Sequence, residues 1–185
     1  MADTMVSLKN TIVFVTGASS GIGEACARVF AREGASLLLA ARRKERIDRL
    51  ARDLETEFHI RTYTMQLDVR DRKAVDAAIS GLPAEWRAIR VLINNAGLAR
   101  GFSKVHEGSV QDWEEMIDTN VKGLLYVSRA VIPGMVERKA AGDGVHVLNP
   151  KEIVKVCDNK EKNLSENLVK RICYQLEEKC KLTME

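Results

Sequence analysis

Residues Thr16-Gly17-Ala18-Ser19-Ser20-Gly21-Ile22-Gly23 stand between a β-branched run, 11–15 (TIVFV), and a stretch from Glu24 to Arg32 whose Ala25, Val29 and Phe30 share one helical face. Strand, glycine turn and helix in that order leave few folds open. Gly17 can take the backbone angles of a tight turn, Gly21 lets main-chain N–H groups approach a pyrophosphate, and Gly23 lets the helix pack close to the sheet. The helix N-terminus, with unpaired N–H groups and a partial positive charge, then faces an anion. Ser19, Ser20 and Ile22 complete this candidate phosphate site.

The alternation continues along the chain. Ser36 to Ala40 is a continuous apolar strand, and Lys44 to Phe58 an amphipathic helix with Ile47, Leu50, Ala51 and Leu54 on one face. A third strand is predicted over about Arg61 to Leu67, a helix over Arg70 to Ser80, and a fourth strand over Val91 to Ile93, running into Asn94-Asn95-Ala96-Gly97. A long helix is predicted from Val110 to Glu137, bent or interrupted late by Pro133, and Val145 to Leu148 supplies a fifth strand. Apolar strands without alternation, separated by helices, imply a parallel sheet covered on both faces. The expected class is a doubly wound, three-layer α/β fold of about five strands.

The spacing TGxxxGxG, with Asn94-Asn95-Ala96-Gly97 and Asp68-Val69, resembles the short-chain dehydrogenase/reductase family over about residues 8–142. The stretch is most similar to NADP-dependent members that act on small 3-hydroxy acids, serine and carbonyl compounds. The resemblance implies a Rossmann sheet, with Asp68 and Val69 bordering the adenine, Asn94, Ala96 and Gly97 the nicotinamide-side ribose, and Asn120 as the family's supporting asparagine. NADP(H) rather than NAD has a separate physical argument. The second strand ends Ala40-Ala41-Arg42-Arg43, where NAD-binding enzymes carry an acidic ribose partner. Arg42 and Arg43 can fork onto a 2′-phosphate, which would also offset two cations at the positive end of a helix.

The family's catalytic residues are a Ser after the fifth strand and a Tyr followed four residues later by a Lys on the next helix. In this sequence the fifth strand ends in Leu148-Asn149-Pro150, and the Tyr that follows, Tyr174, has Glu178 at i+4, with Lys179 one residue too far around the helix. A carboxylate there would raise the phenol pKa, opposite to the chemistry required. The expectation is a cofactor-binding part, truncated relative to the family, with impaired or no catalysis. An active oxidoreductase acting on small hydroxy acids or carbonyls, and a structural or designed fold with a vestigial loop, stand as alternatives.

A seam in residue usage falls near 142–143. Residues 1–142 hold 15 Arg, 6 Lys and 19 Ala, whereas residues 143–185 hold 1 Arg, 7 Lys and no Ala. Helix propensity makes no such demand, since Arg and Lys are near-equals and Ala is the best former. The bias implies two coding histories, natural or engineered, within one domain. The tail is similar, over Val147 to Lys160, to a strand–helix stretch of ATP-grasp ligases. Two helices are expected in it, one opening at Asn149-Pro150-Lys151-Glu152 and one at Asn163, the second carrying Leu164, Leu168, Ile172, Leu176 and Cys180 at i, i+4.

The remaining function classes are thin. Net charge is +3, with basic residues scattered, so no nucleic-acid partner is expected. No apolar run approaches the roughly 18 residues a membrane span needs, and the opening MADTMVSLKN lacks a signal-peptide pattern, so a cytoplasmic protein with four reduced cysteines is expected. Cys157, Cys173 and Cys180 lack zinc-knuckle spacing, and His59, His106 and His146 are isolated, so no metal is expected. The family pairs its long helix and the helix after it between subunits. With that successor replaced, the expectation is a monomer, or a dimer through another surface such as the edge of the fifth strand.

Overall fold

β-Branched and leucine-rich segments buried from end to end build the centre of the sheet. The computed structural model describes residues 8–101, 103–140 and 146–148. Strand β1 (Ile12–Thr16) and strand β2 (Ser36–Ala41) are buried at every position, which is why neither alternates apolar with polar. Helices α1 (Gly21–Arg32) and α2 (Lys44–Phe58) follow them, then β3 (Thr62–Gln66), α3 (Arg72–Ser80) and β4 (Ile89–Ile93). The last described elements are α4 (Val110–Ile117), a π-helical segment (Asp118–Gly123), α5 (Leu124–Ala140) and β5 (His146–Leu148).

All five strands pair in parallel in the order β3-β2-β1-β4-β5. The order reverses between β1 and β4, the point at which open α/β sheets form a crevice beyond their strand ends. Successive strand residues point to opposite faces and so feed two cores. Val13, Val15, Leu37, Leu39 and Ile93 meet Phe30, Ile47 and Leu54 under α1 and α2. Ile12, Phe14, Leu38 and Leu92 meet Val75, Val127, Val131 and Met135 under α3 and α5. The expected doubly wound three-layer architecture is present. Each fully buried Val, Leu, Ile or Phe contributes about 1.5–3 kcal/mol of burial free energy.

Two expectations need correction. The long helix is not interrupted at Pro133, which lies inside α5. Pro133 and Arg129 are both exposed, so water can take the hydrogen bond the ring cannot donate. The irregularity falls instead at Asp118–Gly123, where the chain widens into a π turn. Helix α3 begins at Arg72 rather than Arg70, because Asp71 caps it by accepting from the backbone N–H of Ala74. The helices expected to open at Asn149 and Asn163, and Tyr174, lie outside the described residues. Among the described residues no helix is long and apolar enough to cross a membrane.

Candidate functional site

The turn after β1 is held by hydrogen bonds from the end of β4. The Thr16 hydroxyl donates to the Ile93 carbonyl (3.3 Å) and accepts from the backbone N–H groups of Asn95 and Ala96 (3.1 Å each). The Asn95 side-chain amide donates to the carbonyls of Thr16 (3.1 Å) and Gly17 (3.2 Å). Gly17 has φ +67°, and a Cβ on it would stand 2.8 Å from the Ala96 Cα. A Cβ on Gly23 would stand 2.5 Å from the Gly17 carbonyl oxygen and overlap the Asn95 amide. Gly21 has φ +60° and open space before it. Two glycines thus allow close packing, and the third leaves a clear approach to the start of α1.

A cleft of about 330 Å³ opens over this turn at the sheet's reversal point. Gly17, Ser19, Ser20, Ile22, Arg42, Arg43, Asp68, Val69, Ala96 and Gly97 line it. Arg43 lies across the loop, its Nη2 donating to the hydroxyls of Ser19 (2.8 Å) and Ser20 (2.7 Å). Ser20 is the N-cap of α1 without capping it through its side chain, so its hydroxyl leaves the first-turn N–H groups to other acceptors. Arg42 is exposed and fixed through its backbone, its carbonyl accepting from Gln66 (3.1 Å). Two guanidinium groups beside a helix N-terminus give this rim a positive character suited to an anion.

Four expected residues sit differently. Gly21 and Gly23 shape the turn without lining the cleft. Asn94 is buried at 4% exposure behind it, its amide donating to the Ser128 hydroxyl of α5 (2.9 Å). Asn120 also stands outside the lining. It clamps Leu98, donating to the Leu98 carbonyl (2.8 Å) and accepting from the Leu98 N–H (2.9 Å). This clamp lies in the π turn, and it leaves Gly97 little room, since a Cβ there would stand 3.1 Å from the Asn120 oxygen.

Ala41, Leu67, Asn95 and Thr119 line the cleft although the sequence reading passed over them. Strand parity would have found Asn95. Leu92 faces α5 and Ile93 faces α1, so Asn94 continues toward α5 and Asn95 toward the glycine turn. Thr119 is 7% exposed, and its hydroxyl oxygen has no hydrogen-bond partner. A buried hydroxyl without a partner on a cleft wall invites a polar ligand atom or a water. It was hidden because the π turn changes which face of the helix it occupies.

The Asn95→Leu variant keeps the volume and removes both donations to the turn. It should lose about 1–3 kcal/mol of stability in urea unfolding; an unchanged midpoint would show that the turn holds itself.

An ionic chain closes the adenine end expected from Asp68. Arg70 bonds the Asp68 carboxylate through Nε (3.0 Å) and Nη2 (2.6 Å) and reaches Glu115 through Nη1 (3.1 Å). Glu115 also pairs with Arg100 at 2.7 Å. The Arg70 hydrogen bonds hold the Asp68 carboxyl below its ordinary pKa of 3.8, despite the opposing effect of burial. A lowered folded-state pKa gives stability that is present above the unfolded value and lost as pH falls through the folded one. In Arg70→Met that contribution should shrink, the backbone N–H of residue 70 and Arg42 still favouring the carboxylate, leaving a shallower decline of unfolding free energy below about pH 4, measured by urea titration at successive pH values.

Comparison with known proteins places this geometry in a lineage. The family profile for short chain dehydrogenases matches residues 11–148. The NADP-dependent 3-hydroxy acid dehydrogenase of Salmonella typhi is 49% identical over 138 residues, which are 75% of this chain and 52% of that protein. Sulfoacetaldehyde reductase 2 of Chromohalobacter salexigens is 46% identical over 75% of this chain and 53% of that protein. The chain spans about half the length of the curated relatives it matches. Among solved structures, serine dehydrogenase from Escherichia coli superposes with a TM-score of 0.68 at 38% identity, over 94% of this chain and 77% of that one. The L-sorbose reductase of Gluconobacter frateurii, complexed with NADPH and L-sorbose, gives 0.66 at 31% identity, over 71% of this chain and 50% of that one. A profile match across three quarters of the sequence fixes its descent: this chain belongs to the short chain dehydrogenase family.

Proposed function

We propose that the chain binds NADP(H) through the glycine-turn cleft and, as it stands, transfers no hydride. The observation that carries the binding is the rim formed by Arg42 and Arg43 above the uncapped start of α1. The fit is good on three counts: a glycine cradle that a Cβ would fill, a helix N-terminus facing the cleft, and the buried unpartnered hydroxyl of Thr119. The first-turn N–H groups would hold the pyrophosphate, and Arg42 and Arg43 the 2′-phosphate. Asp68 and Val69 would border the adenine, and the 94–97 segment the ribose near the nicotinamide. When bound, the nicotinamide supplies the hydride-exchanging chemistry; the 3-hydroxy acid dehydrogenase relative is NADP-dependent, and the L-sorbose reductase neighbour is complexed with NADPH.

The loss of catalysis rests on what stands where a proton donor is needed. Among the described residues one Lys and Tyr stand four apart on a helix, Lys122 and Tyr126, in reversed order. The Lys122 ammonium donates to Asp118 (2.7 Å), which raises its pKa, and a cation already paired with a carboxylate is a weak activator of a phenol. The reading also takes the residues from about 143 onward as a segment of different origin within one domain, on the ground of their residue usage, although the family match runs on to residue 148.

Isothermal titration calorimetry tests the binding. Arg42→Ala and Arg43→Ala should each weaken NADPH by roughly 10- to 100-fold, the worth of a charge-assisted hydrogen bond, while leaving NADH within about threefold, since it lacks the phosphate. Equal losses for both nucleotides would overturn the assignment of the arginines. No heat with either, from protein shown to be folded, would sink the binding itself.

A further inference from the structure

Residues 98–101 leave the cleft wall at Gly97 and lie against α4 and the π turn. Asn120 clamps both polar groups of Leu98. The Arg100 N–H donates to the Met116 Sδ (3.3 Å), and the Arg100 Nε meets Glu115 Oε2 at 2.7 Å. Gly101 stands against Asp112, where a Cβ would lie 3.2 Å from the carboxylate. These contacts join the segment to the helix beside it. Glu115 makes one of another kind: its Oε1 accepts from Arg70 Nη1 (3.1 Å), which stands beyond β3 at the other end of the cleft.

We propose that Glu115 is a positioning residue that couples the two ends of the cleft, tying the Asp68 carboxylate through Arg70 to residues 98–101 through Arg100. The proposal rests on the reading of the cleft as a dinucleotide site, with Asp68 at the base and Gly97 at the nicotinamide side. Acceptor counting leaves Asp68 able to serve both neighbours. Its carboxylate takes three donors from residue 70, the backbone N–H, Nε and Nη2, of about four that two carboxylate oxygens accept. One position remains for a base amine. Glu115 divides itself differently, giving one oxygen to each arginine.

Competition between the two carboxylates for Arg70 sets the direction of the coupling. An Arg70 released from Asp68 can turn its fork onto both oxygens of Glu115, the bidentate geometry that suits a guanidinium. Arg100, whose side chain is 52% exposed, then loses its partner, and residues 98–101 loosen. A base seated against Asp68 does the reverse. By excluding water it strengthens the Asp68 and Arg70 pair, keeps Arg70 off Oε2, and leaves that oxygen to Arg100. The nicotinamide side is thus tightened from the adenine end by a ligand that need not touch it.

Amide hydrogen exchange in the full chain tests this, read at Arg100, with Val13 and Val15 of the buried β1 confirming an unchanged fold. In the free protein Asp68→Asn should speed exchange at Arg100 by about two- to fivefold, the worth of a partly exposed ion pair. In a Glu115→Gln background the same substitution should add less than about twofold. The ligand arm uses adenosine 2′,5′-bisphosphate, which carries the adenine and the 2′-phosphate and has no nicotinamide to touch residues 98–101. At a concentration that calorimetry shows to be saturating, it should slow exchange at Arg100 by at least about twofold in the parent chain and by less in Glu115→Gln. A Glu115 that merely braces the segment would change the free-state rate and leave the protection by the bisphosphate in place, and that result overturns the proposal. So does an Asp68→Asn protein whose Arg100 amide exchanges within about twofold of the parent. If neither the bisphosphate nor NADPH binds, the dinucleotide reading fails, and the Asp68→Asn comparison in the free protein decides the coupling by itself.

Discussion

Gly23→Val should abolish measurable NADPH binding, a loss of at least about 100-fold, while lowering stability by about 2–3 kcal/mol. Propensity opposes this result. Valine is a slightly better helix residue than glycine, by a few tenths of a kcal/mol, so an isolated α1 would improve. Contact decides the sign. The new Cβ would meet the Gly17 carbonyl at 2.5 Å and the Asn95 amide, and neither can yield alone, because that amide donates to the carbonyls of Thr16 and Gly17. Relief requires α1 to move off the turn, carrying its first N–H groups away from the phosphate position. Gly21→Ala is the control. It meets nothing within 4 Å but has φ +60°, so it should cost only the roughly 1–2 kcal/mol of a left-handed residue. Calorimetry and urea unfolding measure both variants. A Gly23→Val protein that kept its NADPH affinity within threefold would show that the turn is not what presents the phosphate site.

The sheet was legible because its central strands, β1, β2 and β4, are buried on both faces, which leaves apolar runs that no surface helix would carry. The glycine turn was legible because only glycine fits there. What the sequence concealed has local causes. Asn94 and Asn95 look alike in the one-dimensional string, and only the parity of β4, fixed by the three-dimensional roles of Leu92 and Ile93, sends one to Ser128 and the other to the turn. The break in the long helix was expected at Pro133, the residue with a general reason to break helices. It occurs at Asp118–Gly123, where Asn120 uses its side chain on Leu98, twenty-two residues back, a partner that no local rule identifies. Arg70 gave no sign of its reach to Glu115 for the same reason.

The largest expected effect is on turnover. Assayed by loss of NADPH absorbance with small β-keto acids, this chain should be at least about 10⁴-fold slower than the 3-hydroxy acid dehydrogenase relative assayed beside it, the upper range of what a positioned general acid contributes. Cofactor binding alone does not move a hydride productively, since the developing alkoxide needs a proton and a donor held at the reacting oxygen. Asn120 cannot be that donor, because its amide is already engaged with both polar groups of Leu98. Lys122 is tied to Asp118. Tyr174, with Glu178 at i+4, has an anion where a cation is needed. Tyr174→Phe should therefore leave any residual rate unchanged. A rate within about 100-fold of the relative, lost in Tyr174→Phe, would mean that the tail supplies the acid after all. If NADPH affinity is retained and turnover is absent, the fold's two tasks are separable in this chain: holding the dinucleotide would rest on the glycine turn and the arginines, and supplying the proton on residues other than these.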